Sequence, residues 1–131
     1  MSEVNIPENL RYTETHEWVK VDGNVAAVGI TDFAQQQMTD IVYVELPEVG
    51  REISKGDVIA TIESVKSAED VYSPLTGKIV EVNEELSSTP EKINESPYEA
   101  WIVKIEISNP DELNSLLDAS AYREVVEKES H

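Results

Sequence analysis

A succession of short segments in which apolar and polar residues alternate, separated by turn residues, constrains this chain most. Residues 16–21 and 25–30 alternate in this way on either side of Asp22-Gly23-Asn24, and an Asp-Gly between two such runs is a strong signal of a β-hairpin. Further alternating segments occupy residues 41–46, 58–63, 69–72, 78–83 and 101–107. The pattern predicts a mainly β fold built from antiparallel hairpins.

Helical signals are short and lie outside these strands. Thr31 is suited to cap a helix that ends near Met38. Pro90 begins a single helical turn in the otherwise irregular stretch 84–100. Residues 109–129 carry apolar residues at helical spacing, which predicts one or two C-terminal helices packed on the sheet.

The chain length sets the expected domain organisation. At 131 residues the chain has the size of one domain with one hydrophobic core, so residues 1–131 are expected to form a single domain. Residues 1–9 show no periodic pattern and are expected to form a loose N-terminal arm. Aromatic side chains usually supply core area, and we assign four of them to the core: Trp18, Tyr43, Tyr72 and Trp101.

The charge balance limits the possible partners. The sequence has 27 acidic and 10 basic residues and a formal net charge of −17. A surface of this charge repels nucleic-acid phosphates and anionic membranes, so neither is an expected partner. Three interpretations of the charge remain open: solubility, steering toward partners with basic docking faces, and adaptation to a high-salt habitat.

The chain contains no cysteine, which excludes disulfides, thiolate metal sites and a cysteine nucleophile. Any thiol chemistry must therefore use a cofactor. The first residues, MSEVNIPENLRY, have neither the apolar core of a secretory signal nor the Arg-rich composition of a transit peptide. No run of about 18 apolar residues predicts a membrane-spanning helix. We therefore expect a cytoplasmic protein.

Lys66 stands between two similar segments, KGDVIATIE and TGKIVEVNE. Two matching β-halves would place Lys66 at the tip of the hairpin that joins them, with the carboxylates of Glu63, Glu69 and Asp70 nearby. An exposed lysine on a flexible stem is suited to amide-forming modification. Considered alone, an ordinary surface lysine explains the same pattern better, because charged side chains are mostly exposed.

A longer set of motifs gives Lys66 a more specific meaning. The chain resembles the H protein of the glycine cleavage system from about Arg11 to Glu127. The resemblance is carried by Tyr12-Thr13, His16-Glu17-Trp18-Val19, GITDFAQ (29–35), DIVYVELPEVG (40–50), ESVK (63–66), DVYSP (70–74), Gly77, VNEEL (82–86), Pro90, Asn94, Pro97-Tyr98 and LLDASAY (116–122). These motifs are long, ordered and correctly spaced, so the resemblance is specific.

The resemblance implies a barrel-sandwich hybrid, the lipoyl hammerhead β-barrel with short helices and a C-terminal helical tail, and lipoic acid attached covalently to Lys66. It implies a carrier subunit rather than an enzyme. The arm accepts an aminomethyl group from a pyridoxal-phosphate glycine decarboxylase, a tetrahydrofolate-dependent aminomethyltransferase unloads it, and a flavin dihydrolipoyl dehydrogenase reoxidises it. A lipoate ligase or lipoyl-synthesis enzymes would supply the group, and the protein is expected to be a monomer.

The same resemblance implies that the loaded arm lies in a shallow cleft. Its primary amine is cationic near neutral pH, and carboxylates are the natural partners of such an amine. The matching residues are Glu17 and Asp70, with Thr15 as a weaker candidate. Ordinary solvated acids are the alternative interpretation, because exposed ion pairs are often worth only about 0–1 kcal/mol.

Two departures from the family pattern keep other functions open. Glu69 stands where the family usually has serine, and residues 97–101 (PYEAW) are one residue shorter than the usual run and lack both of its glycines. A loop that needs positive φ would be strained without glycine, so we expect a different path for this segment. A specialised homologue, a lipoyl relay and an interaction domain that carries no group are all compatible with these departures.

Other classes fit the sequence less well. A biotinyl domain has methionines on both sides of its lysine, whereas this chain has Val65 and Ser67. A lipoyl domain of a 2-oxo acid dehydrogenase lacks the His-Glu-Trp start and the helical tail. Only His16 and His131 are available for histidine acid–base chemistry, and no GxGxxG or P-loop occurs. The sequence therefore predicts neither a catalytic site nor a tetrahedral metal site.

Overall fold

The chain folds into short strands with a few short helices, and a computed structural model describes residues 4–129. The strands are β1 (Arg11–Tyr12), β2 (Glu17–Asp22), β3 (Val25–Ile30), β4 (Ile41–Glu45), β5 (Glu52–Ile53), β6 (Val58–Ser64), β7 (Ala68–Tyr72), β8 (Gly77–Val82) and β9 (Val103–Ile107). The helices are α1 (Asp32–Met38), α2 (Glu85–Ser88), α3 (Lys92–Glu95) and α4 (Ala119–Glu129), with a 3₁₀ helix at Pro110–Ser115. No helix within residues 4–129 is long and apolar enough to cross a membrane.

The strands form two antiparallel sheets. The six-stranded sheet has the order β1-β2-β3-β9-β8-β5, and the three-stranded sheet has the order β4-β6-β7. The turn at residues 22–24 joins β2 to β3 as the sequence predicts. Gly23 adopts φ 66° in this turn, a left-handed conformation that a residue without Cβ adopts at little cost.

Both sheets contribute to one hydrophobic cluster. Its buried members include Val28, Ile30, Ile41, Val44, Ile59, Ile62, Val71, Ile79, Val103 and Ile105. Each side chain of this size stabilises the fold by roughly 1.5–3 kcal/mol when fully buried. The mainly β fold with short helices and a C-terminal helix is thus confirmed. The expected closure into a barrel is not observed, because no strand pairing within residues 4–129 joins the two sheets.

The N-terminal segment packs on the protein through residues 4–9, which differs from the expected loose arm. Ile6 is buried in a second cluster with Phe33 and Tyr122. The backbone N–H of Asn5 donates a hydrogen bond to Asp32 at 2.8 Å. Apolar residues at this end thus find partners that only the tertiary fold provides, whereas residues 1–3 of the predicted arm lie outside the described residues.

Some predicted elements differ locally from the structure. The predicted strand at residue 16 begins one residue later, because His16 has φ 73°. The strand predicted from residue 101 begins at Val103. The stretch 84–100 contains two four-residue helices, α2 and α3, instead of a single turn. The two-residue strands β1 and β5 have no sequence signal because they are too short to show alternation.

Two of the aromatic residues that we assigned to the core lie at the surface. Trp18 is buried, with 2% of its surface exposed, but Tyr43 and Tyr72 are 50% and 38% exposed. Both tyrosines lie in the three-stranded sheet, where Tyr43 pairs with Glu63 and Tyr72 pairs with Val58. Paired residues share one face of a sheet, and this outer face is not covered by the second sheet. The core assignment is therefore wrong for these two residues.

The segment 97–101 adopts its path without left-handed residues. Within residues 4–129, the non-glycine residues with positive φ are His16 and Thr39. Pro97 uses its carbonyl to accept a hydrogen bond from the indole N–H of Trp18 at 3.0 Å, and Ala100 is buried. The missing glycines therefore cause no backbone strain in this segment.

Candidate functional site

Lys66 lies at the tip of the β6–β7 hairpin, as the sequence predicts. Its side chain is exposed, and a hydrogen bond from the Ser64 N–H to the Ser67 carbonyl closes the turn at 2.7 Å. The Ser64 hydroxyl oxygen accepts from the backbone N–H groups of Lys66 at 3.3 Å and Ser67 at 3.1 Å. Because serine favours turns through such bonds to the backbone, the Ser-Val-Lys-Ser sequence itself presents Lys66 to solvent.

The base of the hairpin tip is anchored through the connection between α1 and β4. The Val65 N–H donates to the carbonyl of Asp40 at 3.0 Å. Asn94 of α3 holds the same connection, since its amide donates to the Thr39 carbonyl at 2.8 Å and its Oδ1 accepts from the Ile41 N–H at 2.9 Å. Thr39 has φ 64°, and a strained residue of this kind costs on the order of 1–3 kcal/mol. These contacts offset that cost and fix the position of the lysine.

A cleft of about 410 Å³ opens beside Lys66, a volume within the range of small-ligand sites. Its apolar lining consists of Ile30, Phe33, Ala34, Met38, Ile62 and Val71. Its polar lining consists of Thr15, His16, Glu17, Gln37, Lys66, Ser67, Glu69, Asp70 and Glu129. The structure therefore brings together all the residues that the sequence analysis singles out for the lipoyl arm.

Glu17 begins β2 and is buried, with 1% of its surface exposed. One carboxylate oxygen accepts from the hydroxyls of Thr13, at 2.6 Å, and Thr15, and the other accepts from the backbone N–H of Tyr72 at 3.2 Å. Burial raises the pKa of Glu17, and these hydrogen bonds oppose part of that rise. The residue links the six-stranded sheet to β7 of the three-stranded sheet. The alternative interpretation of a solvated acid is thus excluded for Glu17.

β7 carries two further carboxylates, Asp70 and Glu69, and both line the cleft. Asp70 pairs with Thr61 and accepts a hydrogen bond from its hydroxyl at 3.2 Å. Glu69 pairs with Ile62, which is buried, and paired residues share one face of a sheet. Both carboxylates stay exposed because β7 is an edge strand. Glu69, the departure from the family pattern, therefore adds a second exposed carboxylate beside Asp70 at the cleft.

The C-terminal helix supplies a cleft carboxylate that the sequence analysis missed. Glu129, the last residue of α4, forms a hydrogen bond with Nε2 of His16 at 3.0 Å. The other ring nitrogen of His16 bonds the Tyr122 hydroxyl at 2.8 Å, and that hydroxyl also bonds Thr31 at 2.6 Å. His16 and Glu129 are 113 residues apart in the chain, so no local pattern pairs them. The helical spacing that predicts α4 is the sequence signal that could have pointed to a residue on this helix.

The lining determines what the cleft can hold. Its apolar side chains suit a hydrocarbon chain that extends from the lysine, and its carboxylates suit a cationic group at the end of that chain. Exclusion of water from that end would slow the hydrolysis of a labile amine. Within the described residues 4–129, no group of three or more side chains is placed to hold a metal ion.

Sequence similarity links this chain to one family of known proteins. The sequence model of the family described as "Glycine cleavage H-protein" matches residues 10–129. The "Probable glycine cleavage system H protein" of Thermoplasma volcanium is 59% identical over 123 residues, which cover 94% of this chain and 98% of that protein. The "Glycine cleavage system H protein" of Symbiobacterium thermophilum is 56% identical over 119 residues, which cover 90% of this chain and 93% of that protein.

A solved structure agrees with this result at the level of the fold. The crystal structure of a glycine cleavage system H protein from Mycobacterium marinum superposes with a TM-score of 0.83 at 36% sequence identity. The match covers 91% of this chain and 97% of that one. The chain belongs to the glycine cleavage H-protein family, the lipoyl-bearing carrier component of the glycine cleavage system.

Proposed function

We propose that Lys66 is the attachment site of the lipoyl group and that the protein shuttles the aminomethyl intermediate of glycine cleavage on this arm. The observation that carries the proposal is the position of Lys66, an exposed amine on an anchored hairpin tip beside a cleft with carboxylates. A group tethered there can reach partner enzymes on one side and the cleft on the other. Tethering raises the effective concentration of the carried group at each partner.

The residues present fit a lipoyl group on Lys66. When bound, this group supplies a disulfide that takes up and releases the aminomethyl cargo, a sulfur chemistry that the cysteine-free chain lacks. Acylation removes the charge of the lysine amine, so its stem can lie against apolar surface without desolvating a cation. Phe33 and Val71 provide part of that surface.

We assign the cationic end of the cargo to the carboxylates of Glu17 and Asp70. Glu17 already accepts three hydrogen bonds, which leaves about one of the four acceptor positions of a carboxylate. It therefore has little room for a direct contact with the cargo and serves the cleft mainly by holding β7 in place through the Tyr72 N–H. Asp70 is exposed and accepts one hydrogen bond from Thr61, so it has room for an ammonium N–H. Thr15 acts through Glu17, whose Oε1 it bonds.

A carrier of this kind performs none of the reactions itself. The partners that follow from the proposal are a pyridoxal-phosphate glycine decarboxylase, an aminomethyltransferase, a dihydrolipoyl dehydrogenase, and a lipoate ligase or lipoyl-synthesis enzymes. The net charge of −17 would favour basic docking faces on these partners. We further propose that the chain works as a monomeric single domain in the cytoplasm.

The proposal is tested by the intact mass of the full chain after incubation with lipoate, ATP and a lipoate ligase. We expect the wild-type protein and a Lys78→Arg control to gain one lipoyl group, and Lys66→Arg to gain none. Lys78 is a suitable control because it is also an exposed lysine next to a turn. Modification of the Lys66→Arg variant, or no modification of a folded wild-type protein, would refute the assignment.

A further inference from the structure

Three large apolar side chains are exposed next to the base of the Lys66 turn. Val42 is 53% exposed, Tyr43 is 50% exposed and Val65 is 67% exposed. A backbone hydrogen bond holds the two segments that carry them together, because the Val65 N–H donates to the carbonyl of Asp40, just before β4. We call Val42, Tyr43 and Val65 the tip patch.

A β-bulge produces the tip patch. Ile41 pairs with Ser64 and Tyr43 pairs with Glu63, so Val42 is an extra residue in β4 without a partner in β6. In a regular strand, one of two consecutive side chains would face the core. The bulge instead leaves two consecutive apolar side chains in water, and bulges commonly redirect side chains beside functional sites. Exposed apolar side chains that adjoin one another form patches of the kind that contact partner molecules.

We propose that the tip patch is the docking surface for the enzyme that acylates Lys66, an inference that rests on the proposed function. An extended lysine places its amine only about 6 Å from its Cα, given ordinary bond lengths. An active site that reaches this amine must therefore cover the immediate neighbours of Lys66, which include Val65. Enzymes that act on the far end of a lipoyl arm need not approach so closely, so the acylating enzyme is the partner that this surface fits.

Charge complementarity indicates which residues should surround the apolar centre of the partner's docking surface. Two exposed carboxylates adjoin the tip patch: Glu63 pairs with Tyr43, and Asp40 bonds Val65 through its backbone carbonyl. An apolar centre with an acidic rim fits a partner that has an apolar centre and a cationic rim. Docking should therefore weaken as salt screens the exposed charges, over distances of about 10 Å at 0.1 M ionic strength.

The reaction at this surface is an acyl transfer. The deprotonated lysine amine attacks the carboxyl carbon of lipoate, which ATP has activated as a mixed anhydride with AMP. The C–N bond of the amide forms, the C–O bond to the phosphate breaks, and AMP leaves. The proton lost from the amine passes to solvent. The chain contributes only the amine and the docking surface to this step.

The experiment compares the wild-type protein with Val42→Thr/Tyr43→Thr as substrates of a lipoate ligase in the presence of lipoate and ATP. Threonine keeps the β-propensity of these positions, and circular dichroism checks the fold. We expect the KM for the variant to rise about tenfold, the size of effect seen for anchor residues of an interface, with kcat little changed. Val49→Thr is the control, because Val49 is 59% exposed but lies in the loop after β4, away from the hairpin tip.

The outcomes separate this proposal from the proposed function. A wild-type protein that is not modified at Lys66 overturns the proposed function and the docking surface with it. Normal modification of Lys66 with equal KM for the double variant and the control overturns the docking surface alone. Sedimentation velocity tests a second copy of the chain as the occupant: a wild-type dimer that the double variant abolishes would also overturn the proposal.

Discussion

Replacement of Glu17 by glutamine tests how the buried carboxylate serves the cleft. In the native protein its two oxygens accept from Thr13, Thr15 and the backbone N–H of Tyr72. A glutamine amide has one oxygen and one nitrogen. If its oxygen faces the two threonine hydroxyls, its N–H₂ group faces the Tyr72 N–H, and two donors then oppose each other.

The expected cost follows from that single mismatch. A part-buried donor without a partner costs about 1–3 kcal/mol. The two threonine hydroxyls keep an acceptor, so they add little to the cost. For a domain of this size, each kcal/mol lowers Tm by about 3–5 °C. We therefore expect Glu17→Gln to unfold at a clearly lower temperature than the wild-type protein at acid pH.

The pH dependence of this cost tests the cause of the raised pKa. Burial raises the pKa of Glu17 above its ordinary value of 4.5, so the folded state binds the proton more tightly than the unfolded state. Stability from this group is fully present below pH 4.5 and is lost as pH rises through the raised folded pKa. Glutamine does not titrate. The cost of Glu17→Gln should therefore be largest at acid pH and shrink toward neutral pH.

Urea denaturation of the wild-type protein and Glu17→Gln between pH 4 and pH 8 measures this difference in the free energy of unfolding. Glu45→Gln is the control, because Glu45 is an exposed carboxylate on β4 and its replacement should leave a difference near zero at every pH. A cost of Glu17→Gln that grows as pH rises would refute the reasoning. It would mean that the hydrogen bonds outweigh burial and hold the carboxylate as an anion.

Two further substitutions address packing and the cleft. A Cβ at Gly77 would collide with the backbone carbonyl of Glu106 and approach Cγ2 of Ile105 at 2.8 Å, so Gly77→Ala should lower the free energy of unfolding by about 2 kcal/mol or more. Gly23→Ala has nothing within 4 Å and should cost only the left-handed strain of about 1–2 kcal/mol; equal costs in urea denaturation would contradict this order. Asp70→Asn should speed amine loss from the loaded protein by about two- to fivefold, the worth of an exposed ion pair, measured as ammonia release against a Glu106→Gln control. An unchanged rate would remove Asp70 from the cleft assignment.

Local chemistry explains the parts of the fold that the sequence predicts correctly. The Asp22-Gly23 turn needs only a residue that tolerates positive φ, and Gly23 adopts it. Thr31 caps α1 because its hydroxyl accepts from the Ala34 N–H three residues later, at 3.2 Å. The exposed position of Lys66 likewise depends on Ser64 and the short turn around it. Each of these features is decided within a few residues.

The errors have a common cause in contacts between distant segments. Ile6 is buried because it packs in one cluster with Phe33 and Tyr122, which are distant in sequence. No pattern within residues 1–9 predicts this burial. Tyr43 is exposed because of a bulge whose position depends on pairing with β6. Alternation gives the two faces of a strand, but it does not say which face the second sheet covers.

The cleft shows the same limit at the level of function. The resemblance implies that the arm lies against both Glu17 and Asp70, and the structure gives these carboxylates different surroundings: Glu17 is buried and joins β2 to β7, whereas Asp70 is exposed. Because a carboxylate whose acceptor positions are nearly filled has little room for a new donor, the accessible acceptors of the cleft are Asp70, Glu69 and Glu129. Under the proposed function, Glu17 would therefore act mainly by fixing the edge strand on which Glu69 and Asp70 stand, and a defect at Glu17 should appear first in stability and only then in protection of the amine.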